Sequence, residues 1–217
     1  MPIKVHPYYH SNQKRLFDIT LAIFLLVITL PILLIIYFLI LLIAGTPTIF
    51  KQKRTGKNKK PFTMYKFRTM VKNASMLKKK YQKLNQAPGP MFKIFDDPRF
   101  VGIGKFLSST GFDELPQLIN ILKGKMSFVG PRPLPVSESS QLPKNWNFRF
   151  KVKPGVFSKW TLDKSRHESL RRWKQLEVRT VKQGGAFFEI QLIIEIICQQ
   201  IKATLLNLRH LLSKGKL

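Results

Sequence analysis

The sequence predicts a mostly α fold with a small β-hairpin: an N-terminal re-entrant membrane helix, then membrane-surface amphipathic helices around a compact cytoplasmic domain. Three observations lead there. Residues Ile19 to Ala44 form an uncharged run of 26 with a proline at its centre. A strand-turn-strand pattern brackets Gly56-Lys57-Asn58. Helical spacing of apolar residues accounts for much of the rest and ends in a long stretch from Phe187 to Leu212. The chain therefore divides into a membrane-associated region, residues 1–47, and a cytoplasmic domain, residues 48–217, which includes a C-terminal amphipathic helix over 187–212.

The 217 residues, 44% of them apolar, suffice for one compact domain plus a membrane element. Thirty-eight Lys and Arg against 11 Asp and Glu leave a formal charge of +27, which draws the chain to phosphate-rich partners such as nucleic acid, anionic lipid or a nucleotide. Charge alone does not choose among them. Cys198 is the only cysteine, which excludes an internal disulfide and paired-cysteine metal sites and fits a reducing cytoplasm.

The apolar run is long enough to cross a hydrocarbon core as a helix and too long for a cleaved signal peptide. A single spanning anchor is the plain reading, but two features point to a helix that enters and leaves on one face. Lys4, Lys14 and Arg15 precede the run, while Lys51, Lys53, Arg54, Lys57, Lys59 and Lys60 follow it, so both flanks carry the charge that marks a cytoplasmic side. Pro31 cannot donate to the Val27 carbonyl and crowds that turn, which predicts a bend at this membrane break. Thr29 lies near enough to offer its hydroxyl to a freed backbone group.

Ala44-Gly45-Thr46-Pro47 reads as a turn, followed by strand-like residues Thr48 to Phe50, the hairpin connection, and a second strand from Phe62 to Phe67. Val71 to Leu84 has helical spacing of Lys, Met and Leu, as in a solvated or membrane-surface helix, and Gln86 to Pro90 is a loop. A short helix begins at Ile103 to Leu107, is interrupted by Ser108-Ser109-Thr110-Gly111, and gives way to a second over Asp113 to Leu122 that Gly124 closes. Gly130-Pro131-Arg132-Pro133 enforces an extended, stiff turn, because each proline fixes its own backbone and restricts its predecessor. Trp146, Trp160 and Trp173 lie among basic residues between Pro143 and Lys174, a combination that suits a lipid headgroup zone, although a Trp in a loop is more often plain packing. In the C-terminal stretch Gln191, Glu195, Gln199 and Lys202 share one stripe, as in an amphipathic helix lying on the membrane or packed on the domain; these polar groups argue against a second span.

Acidic residues are scarce, so the adjacent pair Asp113-Glu114 at a helix start stands out. Such carboxylates cap free N–H groups and complement the helix dipole. The same placement also suits chemistry, with one carboxylate attacking phosphorus while its neighbour holds a divalent cation against phosphate oxygens. That chemistry needs cations nearby, and Lys66, Arg68, Arg99 and Arg132 are the candidates for binding substrate phosphates. Asp96-Asp97-Pro98, the other acidic pair, reads as turn chemistry. No Walker-type phosphate loop and no dinucleotide-binding fingerprint is present, and His6, His10, His167 and His210 lack metal-ligand spacing.

KRLFD (Lys14 to Asp18), YKFRTM (Tyr65 to Met70), DDPR (Asp96 to Arg99), DELPQLINILKGKMSFVGPRP (Asp113 to Pro133) and KPG (Lys153 to Gly155) follow one another in an order and spacing that resembles the bacterial sugar transferase family, the monotopic polyprenyl-phosphate phosphoglycosyl transferases, in its minimal catalytic form. The resemblance covers nearly the whole chain, and the Asp113 to Pro133 block is its most specific part. It implies a re-entrant membrane helix at the cytoplasmic face of the bacterial inner membrane and a ping-pong exchange between a nucleotide sugar, a UDP sugar by expectation, and undecaprenyl phosphate. It further implies a covalent aspartyl phosphosugar and Mg²⁺. On this reading Asp113 is the nucleophile and Glu114 the metal ligand, while Arg132 and Pro133 of the Pro-Arg-Pro turn help hold the donor phosphates. Two positions depart from the family pattern. Leu30 replaces the serine that commonly precedes the membrane-break proline, and Val156-Phe157-Ser158-Lys159-Trp160 replaces a Gly-Trp-containing stretch, a change that bears on acceptor or sugar recognition.

Two other classes compete. A membrane-anchored nucleic-acid-binding protein would carry a recognisable binding module, and here the basic residues cluster beside apolar segments, which favours anionic membrane lipid and not nucleic acid as partner. An inactive scaffold would tolerate loss of the acidic pair, which is intact.

Overall fold

A computed structural model describes residues 3–163 and 165–213. Helix α1, Asn12–Ala44, starts where the Ser11 hydroxyl accepts the Lys14 N–H (3.1 Å), the N-cap bond that satisfies one of the free first-turn donors. It ends at Gly45, whose φ of 70° a side chain would resist. α1 is continuous through Pro31, and the Thr29 hydroxyl donates to the Leu25 carbonyl (2.7 Å), not to the Val27 carbonyl that the proline frees. Among the described residues it is the one helix long and apolar enough to cross a membrane.

Both ends of α1 are tied to the same body, whereas its middle packs Leu25, Leu26 and Leu33 inward and leaves the other face bare. At the root, Lys14 is buried between Asp18 (2.8 Å) and Glu189 (2.6 Å), and the Asp18 carboxylate also accepts the Ser127 hydroxyl and the Phe128 N–H, each at 3.1 Å. Arg15 donates to the carbonyls of Ile121 and Leu122, both at 2.7 Å. At the far end Ile36 and Ile40 pack on Phe67 and Leu107, and the Arg68 guanidinium caps the Ala44 and Gly45 carbonyls. Between them Ile23, Phe24, Val27, Ile28, Leu34 and Ile35 are exposed. Removing the cation from the root would leave two buried carboxylates unpaired, so Lys14→Met is expected to cost about 3–5 kcal/mol of stability, read by denaturant unfolding in detergent.

The hairpin pairs β1, Ile49–Thr55, antiparallel with β2, Pro61–Phe67, with Gln52 opposite Met64. β1 is longer than its apolar residues suggest because Lys51 and Lys53 alternate outward along it. α2, Ala74–Lys80, is followed by a 3-10 turn at Gln82–Leu84, so the helix expected over 71–84 is broken at Tyr81. α3, Gly104–Thr110, runs through the serines expected to interrupt it, because the Ser109 and Thr110 hydroxyls donate to the Phe106 carbonyl (2.9 Å each) inside the helix. Gly111, at φ 78°, ends it. The helix expected over 113–122 is instead a 3-10 turn, Phe112–Glu114, and α4, Gln117–Leu122, with Pro116 as the N-cap of α4 and Gly124 closing it.

A second sheet, absent from the sequence reading, pairs β3, Ser127–Val129, parallel with β4, Gly155–Phe157. Around it lie α5, Val136–Ser139, a 3-10 segment at Lys144–Lys151, α6, Lys159–Leu162, and α7, Leu170–Lys182. The three tryptophans do not sit in a headgroup zone. Trp146, Trp160 and Trp173 are buried together with Met91, Leu134 and Leu176, since a large indole among basic residues gains most by leaving water. α8, Ala186–Ser213, has two apolar faces. Leu192, Ile193 and Ile196 join the core with Ala22, Met64 and Phe128, while Phe187, Ile190, Ile194, Ile197 and Ile201 are exposed. Gln191, Glu195 and Lys202 lie on its surface, and the Gln199 amide donates to the Leu162 carbonyl (3.2 Å).

Candidate active site

Asp113 and Glu114 occupy the 3-10 turn between Gly111 and Pro116, where the chain has just reversed out of α3. Opposite them stands Lys66, near the end of β2. Asn120 on α4 sets that distance, because its side chain accepts the Tyr65 N–H (3.0 Å) and donates to the Thr63 carbonyl (2.7 Å), holding β2 against the helix that follows the dyad. The Lys66 ammonium then reaches Asp113 Oδ2 at 3.3 Å and Glu114 Oε1 at 2.6 Å. Arg132 arrives from the Pro-Arg-Pro turn and donates to the same Glu114 oxygen at 3.2 Å. Glu114 Oε2 and Asp113 Oδ1 receive no hydrogen bond among the described residues.

This arrangement sets the two carboxylates apart. Burial pushes Asp113 above the ordinary carboxylate range, and the Glu114 charge adds to that, against the pull of Lys66. Burial would raise Glu114 as well, but Lys66 and Arg132 together carry it down to about 2. Glu114 is therefore a fixed anion and Asp113 the more basic, more nucleophilic oxygen of the pair. The cleft in front of them is tight, lined by Arg54, Met64, Lys66, Gln117, Arg132, Pro133 and Gly155 together with Glu114 itself.

The other expected residues are placed elsewhere. Arg68 caps the end of α1. Arg99 forks onto Asp97 (2.8 and 2.5 Å) and donates to the Ala74 carbonyl (2.9 Å), so this acidic pair organises its own turn. Neither guanidinium bonds Asp113 or Glu114. Arg166, which no local motif marks, stacks on the Trp160 ring at 5.2 Å, and Arg132 stacks on the same ring at 5.2 Å. The two guanidiniums thus share one indole, and of the two Arg132 is the one that reaches the dyad.

No group of three or more His, Cys, Asp or Glu side chains that could hold a metal occurs among the described residues. The donor set nonetheless fits Mg²⁺, which needs only one or two hard carboxylate oxygens when waters and substrate phosphates complete its shell. Glu114, with one oxygen open and a low pKa, is the residue suited to hold it.

The model of the bacterial sugar transferase family matches residues 9–203. The "Galactosyl transferase CpsE" of Streptococcus agalactiae is 37% identical over 195 residues, 88% of this chain and 43% of that protein. The "Uncharacterized sugar transferase EpsL" of Bacillus subtilis is 36% identical over 195 residues, 89% of this chain and 88% of that protein. The "UDP-glucose:undecaprenyl-phosphate glucose-1-phosphate transferase" of Escherichia coli is 32% identical over 190 residues, 83% of this chain and 38% of that protein. The chain thus spans less than half of two of these relatives and most of the third. With the family match running from the turn before α1 into α8 and enclosing the dyad, Lys66 and the Pro-Arg-Pro turn, the chain belongs to the bacterial sugar transferase family.

Proposed function

We propose that this protein moves a sugar-1-phosphate from a UDP sugar to undecaprenyl phosphate at the cytoplasmic face of the bacterial inner membrane, the first membrane step in making a surface polysaccharide or glycoconjugate. The observation that carries the reading is geometric: adjacent carboxylates, each with one oxygen engaged by Lys66 and one without a hydrogen bond among the described residues, beside the Arg132 guanidinium. The Escherichia coli relative is named for glucose-1-phosphate transfer between UDP-glucose and undecaprenyl phosphate, and a Salmonella typhimurium relative, 36% identical over 155 residues, is named "Undecaprenyl-phosphate galactose phosphotransferase".

In the first half-reaction Asp113 Oδ1 forms a bond to the phosphorus that carries the sugar. The bond from that phosphorus to the bridging oxygen breaks, and its electron pair leaves with the nucleoside monophosphate. In the second, a phosphate oxygen of undecaprenyl phosphate attacks the same phosphorus and the Asp113 carboxylate departs, giving undecaprenyl diphosphosugar. Lys66 keeps Asp113 ionised and oriented, and Arg132 stands where it can neutralise charge on the donor phosphates. Mg²⁺ held by Glu114 would supply further neutralisation of phosphate charge. Because only the ionised Asp113 attacks, activity is expected to rise with pH through a folded pKa lying above the ordinary aspartate value. Incubating purified protein with undecaprenyl phosphate and a panel of nucleotide sugars, then weighing the lipid by mass spectrometry, tests the function: a diphosphosugar lipid is expected, and no new lipid with any donor would overturn it.

The same reading places α1 as a re-entrant helix. Its support is that both ends dock on one body: the Lys57 ammonium, beyond the helix, lies 3.4 Å from His10, which precedes it. Burying the bare face of α1 together with the exposed α8 stripe would seat both in the lipid of one leaflet. Cysteines at Lys4 and Lys57, in a Cys198→Ser background, are expected to resist a membrane-impermeant thiol reagent together in intact cells. Labelling of one alone would indicate a spanning helix.

A further inference from the structure

The Pro131–Leu134 turn is held by its carbonyls. Pro131 O accepts from the Gly155 N–H (3.0 Å), Arg132 O from Arg149 Nη2 (2.5 Å), Pro133 O from Arg54 Nη1 (2.9 Å) and Leu134 O from the Thr55 N–H (3.0 Å). Four consecutive acceptors are fixed by donors from β4, the 3-10 segment at Lys144–Lys151, and β1. Prolines 131 and 133 each lock their own φ and bring no N–H, Pro133 narrows the backbone of Arg132 to extended conformations, and Arg132 is the residue whose carbonyl Arg149 takes.

Arg149 is an unusual donor for such a task. It is buried, and its charge is met by Glu177 Oε1 at 3.1 Å from the same Nη2 that binds the turn. Glu177 is itself fully buried and fixed by the Trp173 indole N–H at 2.9 Å. Burying an ion pair costs free energy that a hydrophobic pair would not, so its presence directly beneath a substrate-facing turn calls for an explanation in geometry more than in stability. On the other side of that turn the Arg132 side chain lies over Trp160 and reaches Glu114 at 3.2 Å.

We infer that Arg149 and Arg54 are positioning residues for the transfer reaction, clamping the Pro-Arg-Pro turn so that the Arg132 guanidinium is aimed at Glu114 and the donor phosphates. The inference rests on the function proposed above. Arg149 is buried beneath the turn and acts through Arg132; Arg54 holds the turn by the Pro133 carbonyl and also lines the cleft itself. Loss of the clamp releases the turn that carries Arg132, and a misplacement of about 1 Å at such a group costs up to about a hundred-fold in rate.

The test is a pair of double-mutant cycles on the full chain in detergent, reading kcat/KM for the sugar-phosphate transfer, with thermal unfolding measured alongside. Arg149→Lys keeps the charge that Glu177 needs but loses the fork, and Arg54→Met removes a donor from a partly exposed side chain. Each is expected to lower kcat/KM about ten- to a hundred-fold in the wild type and by less than about two-fold in an Arg132→Ala background, because the clamp has nothing left to aim. Equal losses in both backgrounds would overturn the inference, since a purely structural effect does not depend on the Arg132 side chain. If Arg149→Lys fails to fold, Arg54→Met decides alone, and wild-type kcat/KM in that variant overturns the inference as well. A wild type that transfers no sugar phosphate would instead count against the proposed function.

Discussion

Replacing Asp113 by Asn is expected to lower turnover at least about a thousand-fold while stability moves by no more than about 1 kcal/mol. The substitution separates two roles of one residue. The capping role that the sequence allows is not taken up, because among the described residues the Asp113 side chain accepts only from Lys66 and from no backbone N–H, so Asn removes no cap. As a nucleophile, Asn has no anionic oxygen to give to phosphorus. The site also loses little structure: Lys66 keeps its shorter bond to Glu114, so the ammonium stays placed. A folded Asp113→Asn protein with near wild-type turnover would reduce Asp113 to a partner of Lys66.

Replacing Glu114 by Gln is the second large effect, with an expected loss of about a hundred- to a thousand-fold. Glu114 is the anion on which Lys66 and Arg132 both converge, and those two cations hold its carboxyl well below the usual carboxylate range. Gln keeps the shape and one acceptor but removes the charge that holds the two cations together and that suits Mg²⁺. In the same assay excess chelator is expected to abolish wild-type activity and added Mg²⁺ to restore it. Full activity in chelator would take Glu114 out of its metal role and leave it as a partner of Lys66 and Arg132 only.

The acidic pair was legible because acids are so few in this chain that an adjacent pair at a helix start has few competing explanations. Lys66 and Arg132 were legible through their neighbours, a strand end and a proline turn. Arg68 and Arg99 looked alike by the same criteria, and what separates them is tertiary: one meets the free carbonyls at the end of α1, the other the carboxylate two residues before it. The tryptophans illustrate the same limit, since composition does not distinguish an indole at a lipid surface from one packed on Met91 and Leu176. β3 and β4 were invisible because a three-residue parallel pair has no period to read. Arg54, Arg149 and Arg166 carry no local signal. Arg54 acts on a carbonyl 79 residues away, Arg149 on one 17 residues away, and Arg166 on the indole of Trp160, and no spacing rule connects these partners. α8 was read as having one apolar face, and the structure gives it two, because its length brings it past the core on one side and leaves the other uncovered.

The central claim is covalent catalysis by Asp113, and the most direct measurement is release of nucleoside monophosphate from the donor sugar nucleotide with no lipid acceptor present. The account predicts a burst of about one equivalent per wild-type enzyme, a matching mass increase of one phosphosugar on the peptide that contains Asp113, and neither in Asp113→Asn. Active wild-type enzyme that releases no monophosphate until undecaprenyl phosphate is added, and carries no adduct, would contradict it and point to direct transfer between two bound substrates.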